Sequence, residues 1–195
     1  MKRIGVLISG GGTNLQALID GTLSGVIPGE IAVVISNRKN AFGLERAKKH
    51  TIPALYIGKG NFPEQELADA ELEKILKEHA VDVIVLAGYL NILSPRLIDT
   101  YRNRIINVHP SLIPAYSGMG FYGIKVHEAV IENKEDFSGA TVHFVDEGTD
   151  TGGIIVQEKV RVTSEDTPQT LAAKVLKVEH RLLVETTTKL CTGNL

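Results

Sequence analysis

The feature that most constrains this chain is the unbroken apolar run Val83-Ile-Val-Leu86, with kindred runs at Ile4–Ser9 and Ile31–Ser36. A strand with one wet face alternates apolar and polar residues, and these runs do not. They need cover on both faces, which a parallel sheet between two helix layers provides. Amphipathic segments separate the runs. The periodicity predicts strands at Ile4–Ser9, Ile31–Ser36, Ala54–Ile57, Val81–Leu86, Ile105–Val108, Gly139–Val145 and Ile154–Arg161. Helices are predicted near Asn14–Ser24, Gly43–Lys49, Pro63–His79, Pro95–Tyr101, Ile124–Asn133 and Pro168–Lys189. The strand–helix–strand rhythm of the first hundred residues implies an α/β fold with a doubly wound, mostly parallel sheet. The rhythm breaks in the last third. There two strands flank the acidic, glycine-rich segment Asp146–Gly153, so an antiparallel part is expected, closed by a long C-terminal helix. Pro168 would sit in that helix's first turn with Thr167 as its cap.

At 195 residues the chain fits one domain, and 43% apolar residues suffice for a core. The net charge of −2 and the lack of a Lys/Arg block argue against nucleic acid and against electrostatic membrane attachment. No apolar run reaches bilayer length. Met1–Ser9 reads as a first strand rather than a signal peptide. The single cysteine, Cys191, excludes an internal disulfide and suits a reducing, cytoplasmic setting.

Ligands of open α/β sheets bind beyond the carboxyl ends of the strands, which would gather the loops after residues 9, 36, 86, 109 and 145 around one cleft. The segment Arg104–Pro114 carries Asn107 and His109 at the end of a strand, two apart and therefore on one side. A carboxamide and an imidazole together suit acyl transfer, one holding a developing oxyanion and the other moving protons. A strand fraying into a polar loop is the competing reading. Ser9-Gly-Gly-Gly-Thr-Asn14 enters a helix, and free amides at a helix start suit a small phosphate. A structural tight turn would use the same glycines. Leu15 stands where a dinucleotide fingerprint needs glycine, and Ser36-Asn-Arg38 lacks the ribose-binding acid, so NAD is not expected. No Gly-Lys-Ser/Thr makes a P-loop.

Ala87–Pro95 is an apolar loop that could grip a flat aromatic ligand through backbone groups of Leu90 and Leu93, or simply pack the next helix. Asp146, Glu147 and Asp150 could orient His109 and raise its pKa, or form a solvated turn. His109, His143 and these acids match no common metal-ligand spacing, so no metal is expected. His50 and His79 fall near helix ends, where a cation meets the dipole favourably. No nucleophile elbow or Cys–His pairing supports covalent catalysis.

Four segments together carry a resemblance. They are Ile8–Gln16, Leu86–Leu93, Ile106–Pro114 and Thr141–Gly153. They resemble the phosphoribosylglycinamide formyltransferases, in order and over nearly the whole chain. The resemblance implies a Rossmann-like formyltransferase fold forming a single domain over 1–195, with a nucleotide- and phosphate-binding half at 1–103 and a catalytic and folate-binding half at 104–195. It implies transfer of the formyl group of 10-formyltetrahydrofolate to the amine of glycinamide ribonucleotide in purine synthesis, without a metal. Asn107, His109 and Asp150 match the catalytic trio. Gly12, Thr13 and Asn14 match the phosphate-binding loop, and Glu179 a glutamate that binds the glycinamide portion. Leu90, Asn91, Ile92 and Leu93, with Asp146 and Glu147, match folate-binding loops. His127 matches a histidine near the active site. The partners implied are the two small molecules, with no nucleic acid and no membrane, in a cytoplasmic monomer or homodimer.

Asn91 stands where arginine is common, Leu176 replaces a polar residue, and Asn61–Glu64 lacks an arginine for the folate tail. The loop at Gly118–Gly123 looks longer than in many relatives. The nearest alternatives are a formyltetrahydrofolate hydrolase, which has a second histidine at the position of Pro110, and a sugar-amine formyltransferase. A methionyl-tRNA formyltransferase would carry a further C-terminal domain and a basic surface. A noncatalytic folate or nucleotide sensor would not need Asn107, His109 and Asp150 together.

Overall fold

The computed structural model describes residues 1–195. The elements in chain order are β1 (Lys2–Ile8), α1 (Thr13–Leu23), β2 (Gly29–Ser36), α2 (Phe42–Lys49), β3 (Ala54–Tyr56), α3 (Gln65–Glu78), β4 (Val83–Leu86), α4 (Pro95–Thr100), β5 (Ile105–His109), α5 (Ile124–Glu132), β6 (Phe137–Phe144), β7 (Ile154–Arg161) and α6 (Pro168–Thr192). One seven-stranded sheet runs in the order β3-β2-β1-β4-β5-β6-β7. Strands β1 to β5 pair in parallel, while β5–β6 and β6–β7 pair antiparallel. Every predicted element is present, with no end moved by more than three residues and β7 matching at both ends. The direction of the chain through the sheet reverses outward from β1 and β4. That leaves a crevice at their carboxyl ends, where a ligand finds room.

Strand alternation divides the core in two. Ile4, Val6 and Ile8 of β1 join Val83 and Val85 of β4 against α1, α2, α5 and α6. Leu7, Ile84, Leu86 and Ile105 pack on the other face against α3 and α4. Both faces are covered, which is why the apolar runs tolerate no polar residue. α6 lies across β6, α1 and α5. Thr167 and Thr170 close a reciprocal capping box around Pro168 at its start. No helix is long and apolar enough to cross a membrane.

Candidate active site

A cavity of 740 Å³ opens beyond the carboxyl ends of β4 and β5, walled also by His143 of β6 and by the start of α1. β5 delivers two of its polar groups. Asn107 pairs with Leu86 of β4 on one side and His143 of β6 on the other, and His109 pairs with Thr141. The alternation that sends Ile106 and Val108 into one core turns Asn107 and His109 together toward the cavity.

Asp150 arrives from the loop between β6 and β7. Its backbone is left-handed, with φ of 57°, a conformation that aspartate tolerates better than most residues. The loop turns tightly because Asp146 Oδ1 accepts from the Gly148 amide at 3.1 Å and the Thr151 hydroxyl at 2.6 Å. Gly152 then passes so close to strand β6 that a Cβ would lie 1.8 Å from the Phe144 carbonyl oxygen. Only glycine closes this loop without moving the backbone.

The carboxylate of Asp150 stands between two imidazoles. Oδ2 is 3.5 Å from His109 Nδ1, and Oδ1 is 3.5 Å from His143 Nε2. Oδ2 accepts from the Gly118 amide at 3.0 Å, and the Asn107 amide nitrogen lies 3.4 Å from Oδ1. Burial by itself would raise the Asp150 pKa. The Gly118 amide, which donates to Oδ2, works against it, and the carboxyl is held below its ordinary value. His109 Nε2 donates to the Tyr116 carbonyl at 2.8 Å.

The sequence reading expected Asp150 to raise His109. Here the balance runs the other way. His109 is 5% exposed, and removal from water lowers its pKa more than Asp150 and the Tyr116 carbonyl raise it. The carboxylate lies 3.5 Å from the ring, but burial sets the direction of the shift.

The other wall holds Asn14 and Glu179. Asn14 Nδ2 donates to Glu179 Oε2 at 2.9 Å, tying the start of α1 to α6, and the Asn14 Oδ1 has no partner. Burial pushes the Glu179 carboxyl up. His127 also lines the cavity, with an unpartnered Nδ1, and burial next to His109 brings its pKa down to about 4. Leu176 lines it as well.

Leu90, Asn91, Ile92, Leu93 and Asp146 all face the cavity, whereas Glu147 is exposed and outside its lining. The Leu90 amide, expected to read a ligand, already donates to Ser9 Oγ at 2.9 Å. Ser9 Oγ in turn donates to Asn37 Oδ1 at 2.6 Å, and Asn37 Nδ2 to Asn91 Oδ1 at 2.6 Å. The loop after β2 therefore braces the cavity rather than lining it. Gly12 and Thr13 also lie outside the lining, at the exposed entrance to α1. Gly12 has φ of 72° and would place a Cβ 2.6 Å from the Gly43 Cα.

The sequence presents His143 only as a rejected metal ligand and Ser9 only as part of the glycine loop, and it marks neither Tyr116 nor Asn37 as a site residue. The β5–β6 register is the signal that finds His143, since it sets that ring directly opposite Asn107. Tyr116 acts through a backbone carbonyl, which residue type does not reveal. Three carboxylates and no lysine or arginine line the cavity. The set suits proton transfer and oxyanion stabilisation.

The formyl transferase family matches residues 2–187. A phosphoribosylglycinamide formyltransferase of Arabidopsis thaliana, a chloroplastic protein, is 41% identical over 97% of this chain, which spans 65% of that relative's length. One from Haemophilus influenzae is 43% identical over 93% of this chain and 84% of its own. Among solved structures, a glycinamide ribonucleotide transformylase from Symbiobacterium toebii superposes with a TM-score of 0.92 at 42% identity, covering 99% of this chain and 89% of the other.

Proposed function

The chain belongs to the formyl transferase family, and on that premise we propose that it moves the formyl group of 10-formyltetrahydrofolate to the amine of glycinamide ribonucleotide. The observation that carries the reading is the meeting of Asn107, His109 and Asp150 in one cavity of a chain whose relatives are named for this reaction. The amine nitrogen attacks the formyl carbon. The new C–N bond forms first, giving a tetrahedral intermediate; the bond from that carbon to N10 of the folate then breaks, the amine having lost a proton and N10 gaining one. Asn107 donates to the oxyanion of the tetrahedral intermediate, His109 moves the proton and stabilises that charge, and Asp150 orients the His109 ring.

The first half, 1–103, takes the phosphate at Gly12, Thr13 and Asn14, where open amides at the start of α1 suit an anion. The second, 104–195, carries the chemistry. Glu179 holds the glycinamide portion, with Asn14 as its partner. The folate lies along Leu90–Leu93 and the Asp146–Asp150 loop, with Glu147 at the rim, and the loops of both halves enclose it. The enzyme works in the cytoplasm as a monomer or homodimer, without a metal.

The test mixes purified protein with glycinamide ribonucleotide and a 10-formylfolate donor, and follows release of deformylated folate spectroscopically. Amine-dependent release is expected. Release that ignores the amine would turn the assignment to a hydrolase, and no release in either cuvette would point to a different amine acceptor or to a sensor.

A further inference from the structure

The imidazole of His143 has no place in the reaction described above, yet it is 2% exposed and held at both nitrogens. Nδ1 lies 2.7 Å from the Phe144 carbonyl oxygen. A carbonyl can only accept, so Nδ1 carries the hydrogen and Nε2 of the neutral ring is a lone-pair acceptor. Nε2 faces the Asn107 amide nitrogen at 3.1 Å. Asp150 Oδ1 stands 3.5 Å from the same Nε2, beyond a good hydrogen bond. The amino end of Asn107 thus has two acceptors around it, His143 Nε2 and, at 3.4 Å, Asp150 Oδ1. That environment fixes which end of the carboxamide is nitrogen.

We propose that His143 is a positioning residue for formyl transfer: its Nε2 lone pair holds one N–H of Asn107 and so aims the other at the oxyanion beside Asp150. This rests on the formyl-transfer reading. A carboxamide is nearly symmetric in shape, and a half-turn about its last bond exchanges donor for acceptor. The flipped group would present lone pairs to a developing negative charge. Packing cannot prevent that flip, because oxygen and the amino group are nearly the same size. A hydrogen-bond partner of fixed polarity can. The β5–β6 register places that partner directly across from Asn107.

Two substitutions separate this role from simple packing. In His143→Gln the side-chain oxygen reaches about where Nε2 stands and keeps an acceptor there, whereas in His143→Asn the amide replaces only Nδ1. We expect kcat to fall about 100-fold in His143→Asn and less than about 10-fold in His143→Gln, with KM for both substrates within about 3-fold of wild type. Equal losses in the two variants, losses that follow melting temperature, or wild-type kcat in both would overturn the assignment. Nitrogen-15 correlation spectra of the ligand-free wild type give an independent reading. A neutral His143 protonated at Nδ1 is expected, and a ring protonated at Nε2 or at both nitrogens would overturn the proposal. Failure of the wild type to turn over glycinamide ribonucleotide would instead remove the formyl-transfer reading, and the oxyanion role with it. A wild type that turns over but shows the wrong tautomer would remove only the role of His143.

Discussion

The end of β5 and the loop after β1 both stand at the carboxyl edge of the sheet, but they are built in opposite ways. At β5 the polar groups of the cavity are side chains out of water. His109 and His143 are 5% and 2% exposed, and each is fixed by named partners. After β1 the groups offered are backbone amides at the surface. Gly10 and Gly11 have open space where a Cβ would be, and Arg46 braces the Gly11 carbonyl from behind at 2.8 Å. The difference teaches where cover matters. Proton transfer and oxyanion stabilisation gain strength in a dry pocket. Amides at a helix start bind an anion while still wet. Substitutions at β5 and its partners should therefore damage turnover, and those at the β1 loop should damage affinity or stability.

The sharpest test of that contrast is Asp150→Asn, which removes the charge between two imidazoles. Its kcat should fall on the order of 1000-fold while the melting temperature stays near wild type. His109→Ala should follow at roughly 100- to 1000-fold, again folded. Near-normal turnover in either variant breaks the comparison, because steady-state kinetics would then place the chemistry elsewhere.

Gly12→Val probes the other region. A β-branched residue at φ of 72°, with its Cβ 2.6 Å from the Gly43 Cα, should cost about 1–3 kcal/mol in urea unfolding. KM for the phosphorylated acceptor should rise by about a factor of ten, the equivalent of 1.4 kcal/mol in binding, with kcat largely kept. A collapse of kcat with unchanged KM would contradict a purely binding role.

The buried region should also leave a mark on stability against pH. His127 titrates near 6.5 when unfolded and at about 4 in the folded chain. The unfolded state therefore binds the proton first as pH falls, so the stabilisation is complete above 6.5 and is lost on descending toward 4. Between pH 7 and 4.5 the wild type should lose roughly 2 kcal/mol more than His127→Gln in urea titrations. Parallel pH curves for the two proteins would rule out a buried neutral His127. The smallest effect is expected for Asn37→Ala. It frees Asn91 without touching the cavity wall, and KM for the folate should rise about 2- to 3-fold, by the roughly 0.5–1.5 kcal/mol of one hydrogen bond.

Much of this was legible in residue order. Val83–Leu86 announced a strand covered on both faces, and the spacing of Asn107 and His109 put both on one side of β5, since side-chain alternation is local geometry. Pro168 and Thr167 marked the start of α6 for the same local reason. The segment after β6 drew notice for its acids and glycines, but nothing local showed which carboxylate would reach the histidine. Asp150 reaches it because a left-handed residue and the close pass of Gly152 turn the loop inward.

Sequence alone thus determined the layers of the sheet, the placing of Asn107 and His109 on one side of β5 and the edge at which the cavity opens. These follow from period and from the hydrophobic requirement of each face. Tertiary structure decided that His143 sits across from Asn107, that Ser9 takes the Leu90 amide, and that His109 titrates below rather than above its ordinary value. Strand register joins residues far apart in the chain. Desolvation depends on everything packed around a group, so neither is written in the residues nearest the site.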